Sequence, residues 1–272
     1  MVSIRPGGLR KTAPFEERTR LYEAVREIAR RTQDPIEVRR EIESRLGKRM
    51  DLATIKGWVA GIHSPYGRVY QLPREPIPEL AYLIGVNFGD TSRCKNWHCN
   101  YAIRLRAKDE DFAREFARAA SVVLGKPCKV WFDKKRGLWQ SDVLSMLLYT
   151  LLTKPLAELI PYTEHCDKCS AAFLRGFFDA EGSSSGGSAS CSNTELNVLT
   201  YVKSLLETKF RFSIYGPYRN GRRPGSRVQI KGKWYHVRKQ CYVISIAKGN
   251  TRDFAAQIGF SIARKQRGLA FA

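Results

Sequence analysis

The sequence predicts an α+β protein in which a small all-helical segment precedes a duplicated unit of helices and strands. Three observations carry this expectation. Residues 80–90 (LAYLIGVNFGD) and 171–181 (AAFLRGFFDAE) repeat one pattern about 90 residues apart, a spacing that suits a duplicated unit better than a short-period solenoid. Each copy is followed by stretches whose apolar residues alternate, the period of a half-buried strand. Finally, residues 62–78 contain Pro65, Gly67, Pro73, Pro76 and Pro78 and lose all periodicity, which separates the first 62 residues from the remainder.

The N-terminal segment reads as three helices. Residues 16–31 place Leu21, Tyr22, Val25, Ile28 and Ala29 at helical spacing, and Pro35–Leu46 repeats this with Ile36, Val38, Ile42 and Leu46 before Gly47. A third helix, 51–59, begins at Asp51, which can cap it, and ends at Gly61. Three short helices with a glycine turn fit a helix-turn-helix module and equally fit a generic three-helix bundle. The expected organisation is thus a helical domain at 1–62, a Pro/Gly linker at 63–78, a first half at 79–164 and a second half at 165–272.

In the first half, residues 100–108 alternate Tyr101, Ile103 and Leu105 with Arg104, Arg106 and Lys108, a strand with a cationic outer face. Residues 128–133 and 138–143 flank a Lys134-Lys135-Arg136-Gly137 turn and predict a hairpin, followed by a helix at 144–153 that ends before Pro155. The second half predicts a strand at 187–193, a helix at 195–208, strands at 211–215, 228–231 and 234–246, and closing helices. Each half therefore reads helix, strands, helix, strands, helix.

Composition narrows the partners. The chain has 272 residues, 47 Lys+Arg against 26 Asp+Glu, a net charge of +21 and 43% hydrophobic residues. That is too long and apolar for a disordered basic tail, and the charge calls for an acidic counter-surface, nucleic acid first. The surplus concentrates at the C-terminal end, where residues 203–272 carry 16 basic side chains against Glu207 and Asp253 alone. No apolar run spans a bilayer and the start lacks a secretory h-region, so the expected setting is intracellular, cytoplasmic and DNA-associated, with no membrane partner. Seven cysteines at irregular spacing argue against a disulfide framework. Cys166 and Cys169 form a CxxC preceded by His165, and Cys94, His98 and Cys99 follow the first motif; the two groups share no recognised zinc register, so buried or free thiols are expected.

The repeated helix makes a chemical demand. Gly85 and Gly89 stand four apart, as do Gly176 and Ala180, so each helix offers a smooth strip that admits a second backbone closely. If the strips meet, the helices pack about a local two-fold axis, and Asp90 and Glu181 arrive together at one end. A carboxylate at a helix C-terminus opposes the macrodipole by about 0.3–1 kcal/mol, and a second adds like-charge repulsion. Such a pair calls for a cation. Oxygen ligands that leave room for water and phosphate suit Mg²⁺, with Mn²⁺ as an alternative, and the reaction class is metal-dependent phosphodiester hydrolysis. Arg104, Arg106 and Lys108, together with Arg227, Gln229 and Lys231, are expected to meet phosphates and bases, with Asn193 and Arg238 as further contacts, and the 219–227 loop with Arg222 and Arg223 to clamp the backbone.

These segments resemble the paired signature helices of the LAGLIDADG homing endonucleases in their two-motif, single-chain form, over roughly residues 76–272. The copy Leu174-Arg175-Gly176-Phe177-Phe178-Asp179-Ala180-Glu181-Gly182 is the sharper match; in the first, Gly89-Asp90 is followed by Thr91 where the family usually has glycine. The resemblance implies an αββαββα unit duplicated into a saddle, strands lying along the DNA major groove, Asp90 and Glu181 as metal-binding catalytic acids, and a monomer with internal pseudo-symmetry. It further implies a basic residue from the strand after each signature helix: Lys108 matches in the first half, whereas no lysine stands near Asn193 and Thr194, leaving Lys248 as the substitute. Phe254 to Gln266 resembles the family's closing segment, and Ile55-Lys56-Gly57-Trp58-Val59-Ala60-Gly61 followed by Ser64-Pro65-Tyr66-Gly67 resembles helix-turn-helix segments of free-standing archaeal relatives. The implied activity is site-specific double-strand cleavage of a long DNA target, as in intron homing; a non-cleaving DNA-binding regulator or an RNA maturase on the same fold is the alternative.

Overall fold

The structure, a computed structural model, describes residues 14–65, 72–95, 101–221, 223–230 and 232–270. Its residues form two compact units, one built on the N-terminal helices together with residues 94–102 and 144–149, the other containing the rest. No helix among the described residues is long and apolar enough to cross a membrane.

In the first unit, α1 (Phe15–Ile28), α2 (Pro35–Leu46) and α3 (Leu52–Val59) enclose a core of Leu21, Val25, Ile28, Val38, Ile42, Met50, Ile55 and Trp58. The caps follow from sequence: the Asp34 carboxylate accepts from Ile36 N at 2.9 Å, that of Asp51 from Thr54 N at 3.1 Å, and α2 closes on Gly47 at φ 61. Arg26 ties α1 to the end of α3 by donating to the Val59 carbonyl at 3.2 Å. Tyr66 and Gly67, part of the helix-turn-helix likeness, lie outside the described residues.

The rest of the chain runs α4 (Pro78–Asn87), β1 (Thr91–Lys95), β2 (Tyr101–Ala107), α5 (Glu110–Leu124), β3 (Trp131–Asp133), β4 (Leu138–Leu144), α6 (Met146–Leu152) and α7 (Leu156–Thr163). It then repeats with α8 (Asp167–Glu181), β5 (Gly182–Ser185), β6 (Ser188–Asn193), α9 (Leu196–Thr208), β7 (Ile214–Asn220), β8 (Arg227–Ile230), β9 (Lys233–His236), β10 (Cys241–Ile246), a 3₁₀ turn Lys248–Asn250, α10 (Thr251–Gln257) and α11 (Ala263–Arg267). The two four-stranded sheets have the same order: β1-β2-β4-β3 in the first half and β5-β6-β10-β7 in the second. The duplication read from the helices therefore extends to the sheets. What breaks the symmetry is β8–β9, a separate two-stranded hairpin inserted between the third and fourth strands of the second sheet.

That insertion corrects the expected strand at 234–246. Residues 237–240 are not strand, so β9 pairs back on β8 while β10 pairs with β6 and β7. The break falls at Val237-Arg238-Lys239-Gln240, where Arg238 and Lys239 are exposed and the apolar pattern lapses before Cys241 resumes it. The strand expected at 211–215 lies at Ile214–Asn220, because Arg211 turns the chain at φ 59 and polar residues after Tyr215 continue the ladder on β10. Neither β1 nor β5 was anticipated; TSRCK and GSSS are short and have no apolar alternation.

Both sheets are positioned by the pairing of α4 with α8. In α4 every residue from Leu80 to Val86 is buried, the mark of a helix surrounded by protein. A Cβ added to Gly85 would stand 2.1 Å from the Phe173 carbonyl oxygen and 2.8 Å from the Phe177 nitrogen; one added to Gly176 would stand 2.2 Å from the Tyr82 carbonyl oxygen and 3.2 Å from the Val86 nitrogen. Under the alignment of Asp90 with Glu181, Phe173 and Phe177 are the counterparts of Tyr82 and Val86. Each glycine thus meets the same place on the partner helix, as a local two-fold axis requires. Around the pair packs an aromatic core in which the Phe178 and Phe254 rings lie 4.8 Å apart.

Because backbone, not a movable side chain, faces each glycine, Gly85→Ala or Gly176→Ala is expected to destabilise the protein by roughly 1–3 kcal/mol or more, read as a lowered urea midpoint. Gly249→Ala, where an added Cβ meets nothing within 4 Å, should leave the midpoint unchanged. Equal midpoints for the Gly85 and Gly249 variants would contradict the packing described.

Candidate metal centre and nucleic-acid interface

The two motif helices deliver their acids to one place. Past α4, the N–H groups of Gly89 and Asp90 still donate to the Val86 carbonyl, at 3.1 and 3.2 Å, so Asp90 closes the last helical turn immediately before β1. Glu181 is the last residue of α8, immediately before β5. An added Cβ on Gly89 would lie 2.6 Å from the Ala180 Cβ and 3.0 Å from Glu181 Oε1, so the end of the first motif rests against the acid of the second. Asn193, at the end of β6, spans both: its Nδ2 donates to the Phe88 carbonyl at 3.2 Å and to Glu181 Oε1 at 3.3 Å, while its Oδ1 accepts from Glu195 N at 2.8 Å. The last contact fixes which end of the amide faces the acids.

Their electrostatics record the crowding. Burial pushes the Glu181 carboxyl up to about 7; the Asp90 charge adds to this and Lys265 opposes it. Asp90 is solvent-facing, yet surrounding protein raises its carboxyl too, again against Lys265. Among the described residues, neither acid takes part in an ion pair with Lys, Arg or His. Two carboxylates thus share a crowded spot without a salt link from any described residue. With the Asn193 amide oxygen committed to Glu195, the donors on offer are carboxylate and main-chain oxygens, a set that fits a hard divalent cation.

A buried clamp beneath the pair was not anticipated. Asp179, two residues before Glu181, is buried and accepts from Tyr82 Oη of α4 at 2.9 Å, from Ser261 N at 2.9 Å and from Ser261 Oγ at 2.5 Å. Burial raises its carboxyl to about 6, with the Ser261 and Tyr82 bonds pulling the other way. The first copy has Phe88 at the equivalent position, so this clamp exists once. Lys265, the other addition, is buried on α11 and donates to the carbonyls of Asp179 at 2.6 Å and Phe178 at 3.3 Å; burial lowers its ammonium while Asp179 and Asp90 hold it up. It is the cation whose charge bears on Asp90, Asp179 and Glu181 alike. An acid inside the run Phe177-Phe178-Asp179 was a usable signal; nothing in Arg264-Lys265-Gln266 shows that its lysine turns inward.

The remaining site residues are more dispersed. Arg104 is held by Asp142 of β4 at 2.7 and 2.5 Å, and Arg106 donates to Gln140 at 3.0 Å. The cationic outer face expected of that strand is therefore partly neutralised: β4 lies beside β2 and brings Asp142 to it, a pairing that one strand read alone does not reveal. Lys108 is exposed just after β2, in an open cleft with Asp109, Asp111, Arg114, Arg264 and Arg267. Lys248 is exposed and opens the 3₁₀ turn beyond β10. Arg227 and Gln229 lie on β8, paired with His236 and Trp234, and the Arg227 guanidinium sits 6.0 Å from the Trp234 ring centre. Arg223 precedes β8 and Arg238 follows β9, both exposed, while Tyr215, Tyr218 and Trp234 are 58–62% exposed on β7 and β9. The hairpin region therefore presents open aromatic rings among cations, a combination suited to nucleic-acid contact. Arg222 and Lys231 lie outside the described residues.

Comparison with known proteins agrees with the geometry. Residues 168–259 match a family model described as a LAGLIDADG-like domain. An uncharacterized protein of Methanocaldococcus jannaschii, MJ0398, is 29% identical over 240 residues, covering 86% of this chain and 85% of the relative; a second from that organism, MJ0314, is 29% identical over 153 residues, 52% of this chain and 58% of the relative. Among solved structures, the homing endonuclease I-DmoI in complex with DNA and Mn is similar at a TM-score of 0.49 and 20% identity, over 67% of this chain and 96% of that one. The homing endonuclease I-WcaI bound to its DNA recognition sequence is similar at a TM-score of 0.44 and 14% identity, over 74% and 89%. Residues 168–259 therefore carry a LAGLIDADG-like domain, and the first copy repeats its motif, helix contact and strand order.

Proposed function

We propose that the protein is a site-specific double-strand DNA endonuclease that hydrolyses phosphodiester bonds with Mg²⁺, Mn²⁺ being able to replace it. The observation that carries this reading is the meeting of Asp90 and Glu181, one from each copy, at abutting helix ends with no salt link to neutralise them among the described residues. In this reading the two carboxylates hold the divalent ion. When bound, such an ion activates water and stabilises the leaving oxygen of a phosphodiester. Asn193 keeps the Glu181 carboxylate oriented, and Lys265 lowers the cost of gathering acids at one spot while the Asp179 clamp fixes the end of α8.

The protein's cations do the rest. Lys108 and Lys248 are the proposed basic residues of the two halves, facing phosphate. Arg106 and Arg104, the latter braced by Asp142, contribute from the first sheet. Arg223, Arg227, Gln229 and Arg238 contribute from the hairpin, and Arg222 and Lys231 complete the set. Since one sheet carries the hairpin and the other does not, the two half-sites need not be alike, and a non-palindromic target follows.

Protein incubated with a plasmid library and Mg²⁺ is expected to cut both strands at a defined site, and Asp90→Asn or Glu181→Gln to reduce cutting to background while DNA binding in Ca²⁺ persists. Persistent cleavage in either variant would refute the metal assignment; binding without cleavage by the unaltered protein would favour the regulator. Asn193→Ala, which frees Glu181 to reorient, should weaken Mg²⁺ binding about 10- to 100-fold, measured by calorimetry.

A pH dependence follows from the same acids. The folded state holds a proton on Glu181 up to about 7, above the value of a free glutamate, so folding takes up a proton. The stability this contributes is complete below the unfolded value and is lost as pH rises through about 7. In chelator, the melting temperature should therefore fall between about pH 5 and about pH 8, Glu181→Gln should flatten that slope, and Mg²⁺ should restore stability at the alkaline end. A slope unchanged by both would show that the acids are not coupled to a shared ion.

A further inference from the structure

We propose that His165, Cys166 and Cys169 form a structural zinc site, completed by Glu75, at the start of α8. The ligand atoms of the three residues all lie within 4.8 Å of one another, and the two sulfurs are 3.4 Å apart. Tetrahedral zinc with Zn–S of about 2.3 Å and Zn–N of about 2.0 Å places its ligand atoms roughly 3.3–3.8 Å from each other, so small rotations of these side chains close the site. The sulfur separation is also far beyond the roughly 2.05 Å of a disulfide.

The local sequence explains the arrangement. Cys166 is the N-cap of α8, its sulfur accepting from the Cys169 N–H at 3.4 Å, and Cys169 lies one turn further in, buried. The free N–H groups and positive end of a helix favour thiolate sulfur there. His165 directly precedes the cap, and Glu75 Oε2 stands 3.8 Å from its Nε2 on a side chain that is 84% exposed and able to swing inward. Two thiolates and an imidazole select zinc over the hard ions that carboxylates prefer.

Such a site would serve the fold rather than the chemistry. The Cys169 sulfur approaches the Pro76 carbonyl at 4.0 Å, two residues ahead of α4. Zinc held by Glu75 and the cysteines would pin the start of both motif helices, whose middles are held by Gly85 and Gly176. Glu181 is the last of the 15 residues of α8, so the zinc lies about 20 Å from the acids along the helix.

The test uses the full chain, expressed with zinc, dialysed into metal-free buffer and assayed by atomic emission, with the stripped protein titrated with Co²⁺. Expected are one zinc per chain and an intense near-ultraviolet thiolate-to-Co²⁺ band. Cys166→Ser should abolish both and His165→Ala should weaken Co²⁺ binding at least about tenfold, while the Asp90→Asn, Glu181→Gln double variant keeps both. Because Cys169 is buried and its replacement risks misfolding, the exposed His165 and the capping Cys166 decide the matter. Absence of stoichiometric zinc and of the band in the unaltered protein, their retention in Cys166→Ser, or their loss in the acid double variant would overturn the proposal. So would a Cys166–Cys169 disulfide in the mass spectrum of the freshly isolated protein.

Discussion

The close approach of α4 and α8 is the constraint on which the rest of the molecule depends. At Gly85 and Gly176 backbone meets backbone, with no room for a methyl group at either position. Every later feature inherits its place from that contact. The sheets leave the helix ends through β1 and β5, the acids sit at those ends, and the Tyr82–Asp179 bond locks the two helices in register from within. Such packing demands two glycines in reciprocal positions, which is why the repeat is visible in a single sequence at all.

Placing two carboxylates at adjoining helix C-termini is unfavourable on three counts: the helix dipoles, mutual repulsion and partial burial. The fold answers only partly. Lys265 offers one buried charge to three acids, and it spends its hydrogen bonds on main-chain carbonyls rather than on either motif acid. A divalent ion supplies the missing positive charge in the functional reading. The asymmetry between the halves has the same logic: the Asp179 clamp and the β8–β9 hairpin both belong to the second copy, so the two halves share a plan for the acids and differ in what surrounds them.

Much of this was legible in the sequence, and what was not has identifiable physical causes. The helix cap at Asp51, the α4–α8 contact and the convergence of the two acids follow from local pattern or from the repeat. Strands β1 and β5 escaped because polar, five- and four-residue segments carry no periodicity and exist only through their neighbours. The pairing of Arg104 with Asp142 escaped for a related reason, since which strand lies beside which is a non-local fact. The strand expected at 234–246 ran through the polar Arg238-Lys239-Gln240, which belong to neither the β8–β9 hairpin nor β10. Lys265 is the hardest case: a lysine in a basic C-terminal segment reads as solvated, and only the carbonyls of Phe178 and Asp179 reveal that it turns inward.

The proposal that a single divalent ion is held jointly by one acid from each copy is tested most directly by anomalous diffraction from crystals of the protein soaked in Mn²⁺. A strong manganese peak bonded to carboxylate oxygens of both Asp90 and Glu181 is the predicted result. A peak bound by one of them alone, or none near either, would contradict the account.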